Sequence, residues 1–123
     1  MGKVIYPELS YKLVGLMYEV YNELGYGYQE RYYQRAIEKY FQESKIKYKK
    51  ELYCPIKVKD KNIGSYRLDF LVDDKIVLEL KVANQVYIKH IKQVLGYLKQ
   101  NNLKLGILSI FTKDGVKIQR ILN

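Results

Sequence analysis

One cysteine, two prolines and no tryptophan occur in 123 residues. The lone thiol, Cys54, excludes an internal disulfide and any zinc cluster built on cysteines. Pro7 and Pro55 are too few and too far apart to mark a linker, and no Gly/Ser tract or repeat divides the chain. The expectation is therefore one domain over residues 1–123, a length that buries a core without staples. There is no long apolar run and no secretory h-region, so neither a membrane span nor export is indicated, and the cytoplasm is the expected setting. Negative charge is also scarce: 13 Asp and Glu stand against 22 Lys and Arg, a net charge of +9. That excess favours polyanionic partners, nucleic acid first, although a lysine-rich solubility surface would give the same balance.

What is abundant is tyrosine, with 14 copies. Rings beside lysines can stack on bases, and they also serve at the amphipathic edge of a core. After Pro7, which suits a first helical turn, residues Leu9, Leu13, Leu16, Met17, Val20, Tyr21 and Leu24 recur at helical spacing, predicting a helix over 7–24. Gly25-Tyr26-Gly27 stops it. A second helix starts near Gln29, with Tyr33, Ala36, Ile37, Tyr40 and Phe41 as its apolar stripe. The period then shortens to two. Ile46, Tyr48 and Leu52 predict one strand, and Ile56 and Val58 belong to the next. Residues 60–64 form a turn, Tyr66–Val72 a third strand and Ile76–Val82 a fourth, joined by Asp73-Asp74. A third helix covers 86–100, and strands follow at 105–111 and 116–121. The expected fold is α/β (α+β), a mixed sheet flanked by helices in the order ααββββαββ, with the hairpin Tyr66–Val82 at its centre.

Chemistry concentrates in that hairpin. Alternation along a strand puts Glu79 and Lys81 on one face and Leu78, Leu80 and Val82 on the other. Asp69 interrupts the apolar run of the preceding strand, and a tight turn at Asp73-Asp74 would bring it near Glu79. Charges in a region built for burial are costly without a partner. A hard cation held by carboxylate and carbonyl oxygens is one resolution; a solvated sheet face with an ion pair to Lys81 is the other.

Beyond the hairpin, Gly27-Tyr-Gln-Glu30-Arg-Tyr-Tyr33 resembles the signature of the GxxExxY proteins, small members of the PD-(D/E)XK nuclease superfamily. The resemblance extends to Asp69, to Glu79-Leu-Lys81, to His90-Ile-Lys-Gln93-Val-Leu-Gly-Tyr97, to the strand Leu105–Phe111 and to Ile118-Gln-Arg120-Ile121. Each motif alone is weak, and their order along the chain makes them specific. The resemblance implies a nuclease, a hydrolase of phosphodiester bonds. Asp69, Glu79 and the Leu80 carbonyl would hold Mg²⁺ or Mn²⁺, with Glu30 as a further ligand or acting through water. Lys81 would orient the attacking water and stabilise phosphate charge. Gln93 and Tyr97, four apart on one helix face, would support site and substrate. The implied partner is nucleic acid, DNA before RNA.

Other readings stand beside these. Glu30 also favours a helix N-terminus through the macrodipole, Tyr33 suits packing, His90 a surface position, and Gln93 and Tyr97 a helix surface. Lys45, Lys47, Lys49 and Lys50 either line a path for nucleic acid or form a solvated strand edge. A binding module or structural domain that keeps the fold without turnover is the alternative to an enzyme. So small a surface leaves sequence reading to a protein partner or to a homodimer.

Overall fold

The structure, a computed structural model, describes residues 4–123. The first two elements are helices, α1 (Pro7–Leu24) and α2 (Glu30–Glu43). Three strands follow, β1 (Tyr48–Val58), β2 (Lys61–Val72) and β3 (Ile76–Val82). Helix α3 (Ile88–Gln100) then crosses to β4 (Leu105–Thr112), and β5 (Gly115–Leu122) closes the fold. The sheet has the order β1-β2-β3-β4-β5 and is antiparallel except between β3 and β4, which the α3 crossover makes parallel. The mixed sheet flanked by helices is the expected architecture, with β3 at its centre.

The helices follow the predicted periods. Leu13, Leu16, Met17 and Val20 of α1 are buried, as are Tyr33, Ile37 and Phe41 of α2. They form one core with Phe70, Val72, Leu78, Leu80 and Phe111 on one sheet face. Val94 and Leu98 of α3 close a second core on the other face with Leu71, Val77, Leu108 and Ile110. Gly106 on β4 allows this approach: a Cβ there would lie 2.4 Å from Val94 Cγ1.

One expectation needs correction. The segments read as two strands on either side of Pro55 are a single strand, β1, so the order is ααβββαββ. Pro55 is tolerated because β1 is an edge strand, where a missing N–H costs no ladder bond. The turn expected at 60–64 is tighter too. Lys59 and Asp60, both at positive φ (49° and 64°), turn the chain alone, and β2 begins at Lys61. Two consecutive positive φ values are the mark of a two-residue hairpin turn.

The β1–β2 hairpin breaks its alternation halfway. Lys50 pairs with Phe70 and Leu52 with Leu68, but Glu51 and Asp69 between them are unpaired, and Glu51 has φ 57°. Tyr48, Phe70 and Val72 pack into the first core, whereas Leu52, Cys54 and Leu68 pack into the second. The hairpin therefore changes faces at Asp69. Such kinks re-aim side chains beside functional sites.

Candidate active site

The β2–β3 ladder covers only Phe70↔Leu78, Leu71↔Val77 and Val72↔Ile76. Beyond it the strands part, and backbone N–H groups would be left unpaired in a buried region, which costs free energy. Carboxylates fill the gap. Asp69 N–H donates to Glu79 Oε1 at 2.8 Å, and Leu80 N–H donates to Asp69 Oδ2 at 2.8 Å. Further along the same edge of β3, Val82 N–H donates to Glu30 Oε1 at 3.2 Å. A residue in a strand sends its N–H and C=O to the same side, so the Leu80 carbonyl also faces this opening.

Glu30 reaches β3 because α2 begins with it, after the tight Gly25–Gly27 connection. Gly25 (φ 72°) and Gly27 (φ 120°) adopt backbone that L side chains rarely take. Tyr33 fastens the connection, its hydroxyl donating to the Gly25 carbonyl at 2.6 Å. The ring is fully buried, so Tyr33 packs rather than facing the site. One turn after Glu30, Gln34 Nε2 donates to Asp69 Oδ1 at 2.7 Å. Both oxygens of Asp69 are thus held from outside β2.

The electrostatics follow from burial. Glu79 is 2% exposed. Burial first, then the neighbouring Asp69 charge, pushes its carboxyl up to about 8, against the pull of Lys81. Burial likewise raises Asp69 despite the Leu80 N–H, and the Glu30 charge adds to the rise. Lys81 Nζ lies 3.2 Å from Glu79 Oε2. Burial works against the Lys81 charge, but Glu79, Glu30 and Asp69 outweigh it and hold the ammonium above its ordinary value.

Three carboxylates thus share one ammonium. Among the described residues, no three His, Cys, Asp or Glu side chains gather into a group that could enclose an ion. The donors in mutual contact are Asp69 and Glu79, with the Leu80 carbonyl on the same edge. That set fits Mg²⁺, which is held by one or two carboxylates and keeps several waters. A cation there would also offset the burial, and the lesser repulsion, that raise both carboxyls. Glu30 stands outside the pair, on Val82 N–H.

The remaining predicted residues are dispersed. Gln93 offers its backbone carbonyl to the Tyr66 hydroxyl at 2.8 Å, and Tyr97 is buried in the second core. Among the described residues, neither side chain bonds Asp69, Glu79 or Lys81. From α3 it is His90 that the Lys81 charge reaches; burial first and then that charge hold the imidazole below its usual value. The lysine run splits by strand alternation. Lys47 and Lys49 pair with Asp74 at 2.7 and 3.4 Å, while Lys50 points to the other side and pairs with Glu38 at 3.2 Å. Lys45 sits at φ 55° before β1. Of the four, Lys50 alone lines the cleft of about 310 Å³ that opens over Asp69 between α2 and β1.

Motif reading missed Gln34, Arg31 and Arg35. Gln34 was detectable as the residue four after Glu30, on the same helix face. Arg31 and Arg35, also four apart, line the cleft with it.

The sheet thus opens at its centre onto paired carboxylates and a lysine. Over residues 7–121 the sequence matches the model of the PD-(D/E)XK nuclease superfamily, and the chain belongs to that superfamily. No curated protein matched the sequence. Among solved structures, the crystal structure of SSO0001 shares the fold, with a TM-score of 0.56 and 21% identity over 96% of this chain. The chain spans 58% of that protein's length.

Proposed function

We propose that this chain is an Mg²⁺-dependent phosphodiesterase of the GxxExxY type, acting on nucleic acid, DNA before RNA. The observation that carries the reading is the opened β2–β3 ladder, where the buried Glu79 and the half-buried Asp69, both with raised carboxyl pKa values, face one lysine. A structural domain gains nothing from this arrangement, since an ordinary ladder pair would close the gap without burying charge.

Asp69, Glu79 and the Leu80 carbonyl would hold the ion. When bound, Mg²⁺ supplies a lowered pKa for water and neutralises phosphoryl oxygens. The protein side supplies the rest. Gln34 and the Leu80 N–H fix the Asp69 carboxylate in one orientation. Glu30 anchors α2 to β3 through Val82 N–H and adds negative charge beside Lys81. Lys81 keeps its proton, because the surrounding carboxylates favour the charged form, and so presents a fixed ammonium to the attacking water and to charge developing on the phosphate. His90, Gln93 and Tyr97 lie along one face of α3, from which Gln93 would support the substrate. Residues 1–123 would act as one domain in the cytoplasm, and a homodimer or a partner protein would add sequence reading.

Digestion of single-stranded DNA, duplex DNA and RNA with Mg²⁺ or Mn²⁺ tests the reading, run beside Lys81→Ala and with Mg²⁺ titration calorimetry. Cleavage by the wild type alone supports it. Metal and nucleic-acid binding without cleavage would make the chain a binding module. Metal binding with no nucleic-acid affinity would leave only a structural site.

A further inference from the structure

The cleft over Asp69 carries three cations, Arg31, Arg35 and Lys50, against three carboxylates, Glu38, Glu51 and Asp69 itself. Lys50 and Glu38 neutralise one another at 3.2 Å. Among the described residues, no carboxylate lies within ion-pair distance of Arg31 or Arg35. Both guanidiniums instead lie over the ring of Tyr32, at 5.0 and 5.6 Å from its centroid. Arg31 adds a 3.3 Å hydrogen bond from Nη2 to the Tyr32 hydroxyl. A guanidinium carries five N–H donors in a rigid fork, and here nearly all of them remain free.

We infer that Arg31 and Arg35, held in place by Tyr32, form a clamp for the phosphodiester backbone of the substrate next to the phosphate that is cut. The inference rests on the nuclease reading of Asp69, Glu79 and Lys81, and adds where the strand runs. Three features support it. Arginines four apart on a helix share a face, and both line this one cleft. Forks of this shape match phosphate oxygens two at a time. Stacking on Tyr32 restricts the guanidiniums before substrate arrives, which lowers the ordering cost of binding. The cleft opens on Asp69, so a phosphate held there adjoins the proposed metal site. Glu51 on the opposite wall repels phosphate and keeps the strand on the arginine side. Tyr32 is a positioning residue; the arginines are the contacts.

The test is fluorescence anisotropy of the intact chain in EDTA, with labelled single-stranded and duplex DNA over a salt series. Steady-state cleavage in Mg²⁺ accompanies it. Variants are Arg31→Ala, Arg35→Ala, Tyr32→Phe, Tyr32→Ala and, as a control for net charge, Lys117→Ala on β5. Each arginine loss should weaken binding about tenfold. It should also lower the slope of log affinity against log salt by about 0.7 on a single strand or 0.9 on a duplex. KM should rise with kcat nearly unchanged, the pattern of lost uniform binding. Tyr32→Phe keeps the ring and loses only the hydroxyl bond to Arg31, so it should weaken binding less than Tyr32→Ala, and neither should change the slope. A loss on either nucleic-acid form supports the clamp, and the form that loses more identifies the strand it holds. If the wild type binds and cleaves while Arg31→Ala and Arg35→Ala match Lys117→Ala, the clamp is wrong and the nuclease reading stands. A wild type that neither binds nor cleaves would overturn both.

Discussion

Asp69 and Glu79 hold apart the strands on which they sit: the Glu79 carboxylate takes the Asp69 N–H, and the Asp69 carboxylate takes the Leu80 N–H, each at 2.8 Å. The same oxygens are the proposed metal ligands. Structural and chemical roles can be separated because an amide oxygen accepts a hydrogen bond but binds Mg²⁺ poorly. Asp69→Asn should keep the Leu80 bond and lose Mg²⁺ binding and cleavage. Asp69→Ala should lose those and also leave the buried N–H unpaired, at a cost of about 1–3 kcal/mol relative to Asn. Urea melts in EDTA measure the difference. Equal stability of the two variants would show that the Asp69 carboxylate does not support the opened ladder.

The Glu79 carboxyl gives a pH signature. Its folded value of about 8 lies above its ordinary 4.5. Between those values the folded chain holds a proton that the unfolded chain has released. The metal-free protein therefore gains stability from that proton at low pH and loses it as pH rises through about 8. From about pH 7 to about pH 8.5 the loss should be about 1 kcal/mol. Lys81, with its raised value, weakens only at higher pH, and His90, with its lowered value, acts in the opposite direction, stability rising with pH on the acid side of its ordinary 6.5. Glu79→Gln should flatten this slope, and saturating Mg²⁺ should remove it by displacing the proton. A wild-type slope that survives in Glu79→Gln would assign it to another group.

Much of this was readable in the sequence because it follows from period. Helical spacing located α1 from Pro7 to Leu24, and strand alternation put Glu79 and Lys81 together. Periodicity failed where the backbone leaves regular geometry. Pro55 reads as a break, yet on an edge strand it interrupts nothing. The positive φ at Glu51 has no sequence signature, since glutamate is not a residue that favours it, and the change of faces at Asp69 depends on it. Gln34 was passed over because no motif requires it, though its spacing from Glu30 placed it on the right face. The cleft beside Arg31 and Arg35 is formed by α2 and β1 coming together, and neither segment reveals that alone.

The kink at Glu51 should be strained. For a residue with a Cβ, left-handed backbone costs about 1–2 kcal/mol. Glu51→Gly should be neutral or stabilising, and Glu51→Val, β-branched and unsuited to φ 57°, should destabilise by a similar amount. Thermal melts of the two variants check this. Matching midpoints would mean that the backbone at Glu51 relaxes freely.

Gln34 tests whether the orientation of Asp69 matters beyond its charge. Gln34→Ala removes the 2.7 Å donor to Oδ1 and no charge. Partners that orient a metal ligand are typically worth about 10–100-fold in affinity or activity. Mg²⁺ affinity by calorimetry and cleavage rate should both fall by about that factor, with stability little changed. Wild-type affinity in Gln34→Ala would show that the Leu80 N–H alone orients Asp69.

Lys81 separates catalysis from metal binding. It contributes a cation and no ligand, and its Nζ lies 3.2 Å from Glu79 Oε2. Lys81→Ala removes positive charge beside the proposed ion, so at a pH of about 8.5, where protons compete least with the ion for Glu79, Mg²⁺ should bind at least as tightly as in the wild type. Cleavage should nevertheless fall, because the attacking water and the developing phosphate charge lose their partner; the loss of one such stabiliser is worth about 10²–10³-fold. Lys81→Arg keeps the charge but spreads it over a planar fork whose donors point differently from those of a compact ammonium, so rescue should be partial. Burial favours the same order, since the larger guanidinium must fit where only 24% of the lysine side chain is exposed. Rates measured at matched Mg²⁺ occupancy isolate this effect from binding. If Lys81→Ala then cleaves as fast as the wild type, Lys81 serves only to neutralise Glu79, and the water must be oriented by another group.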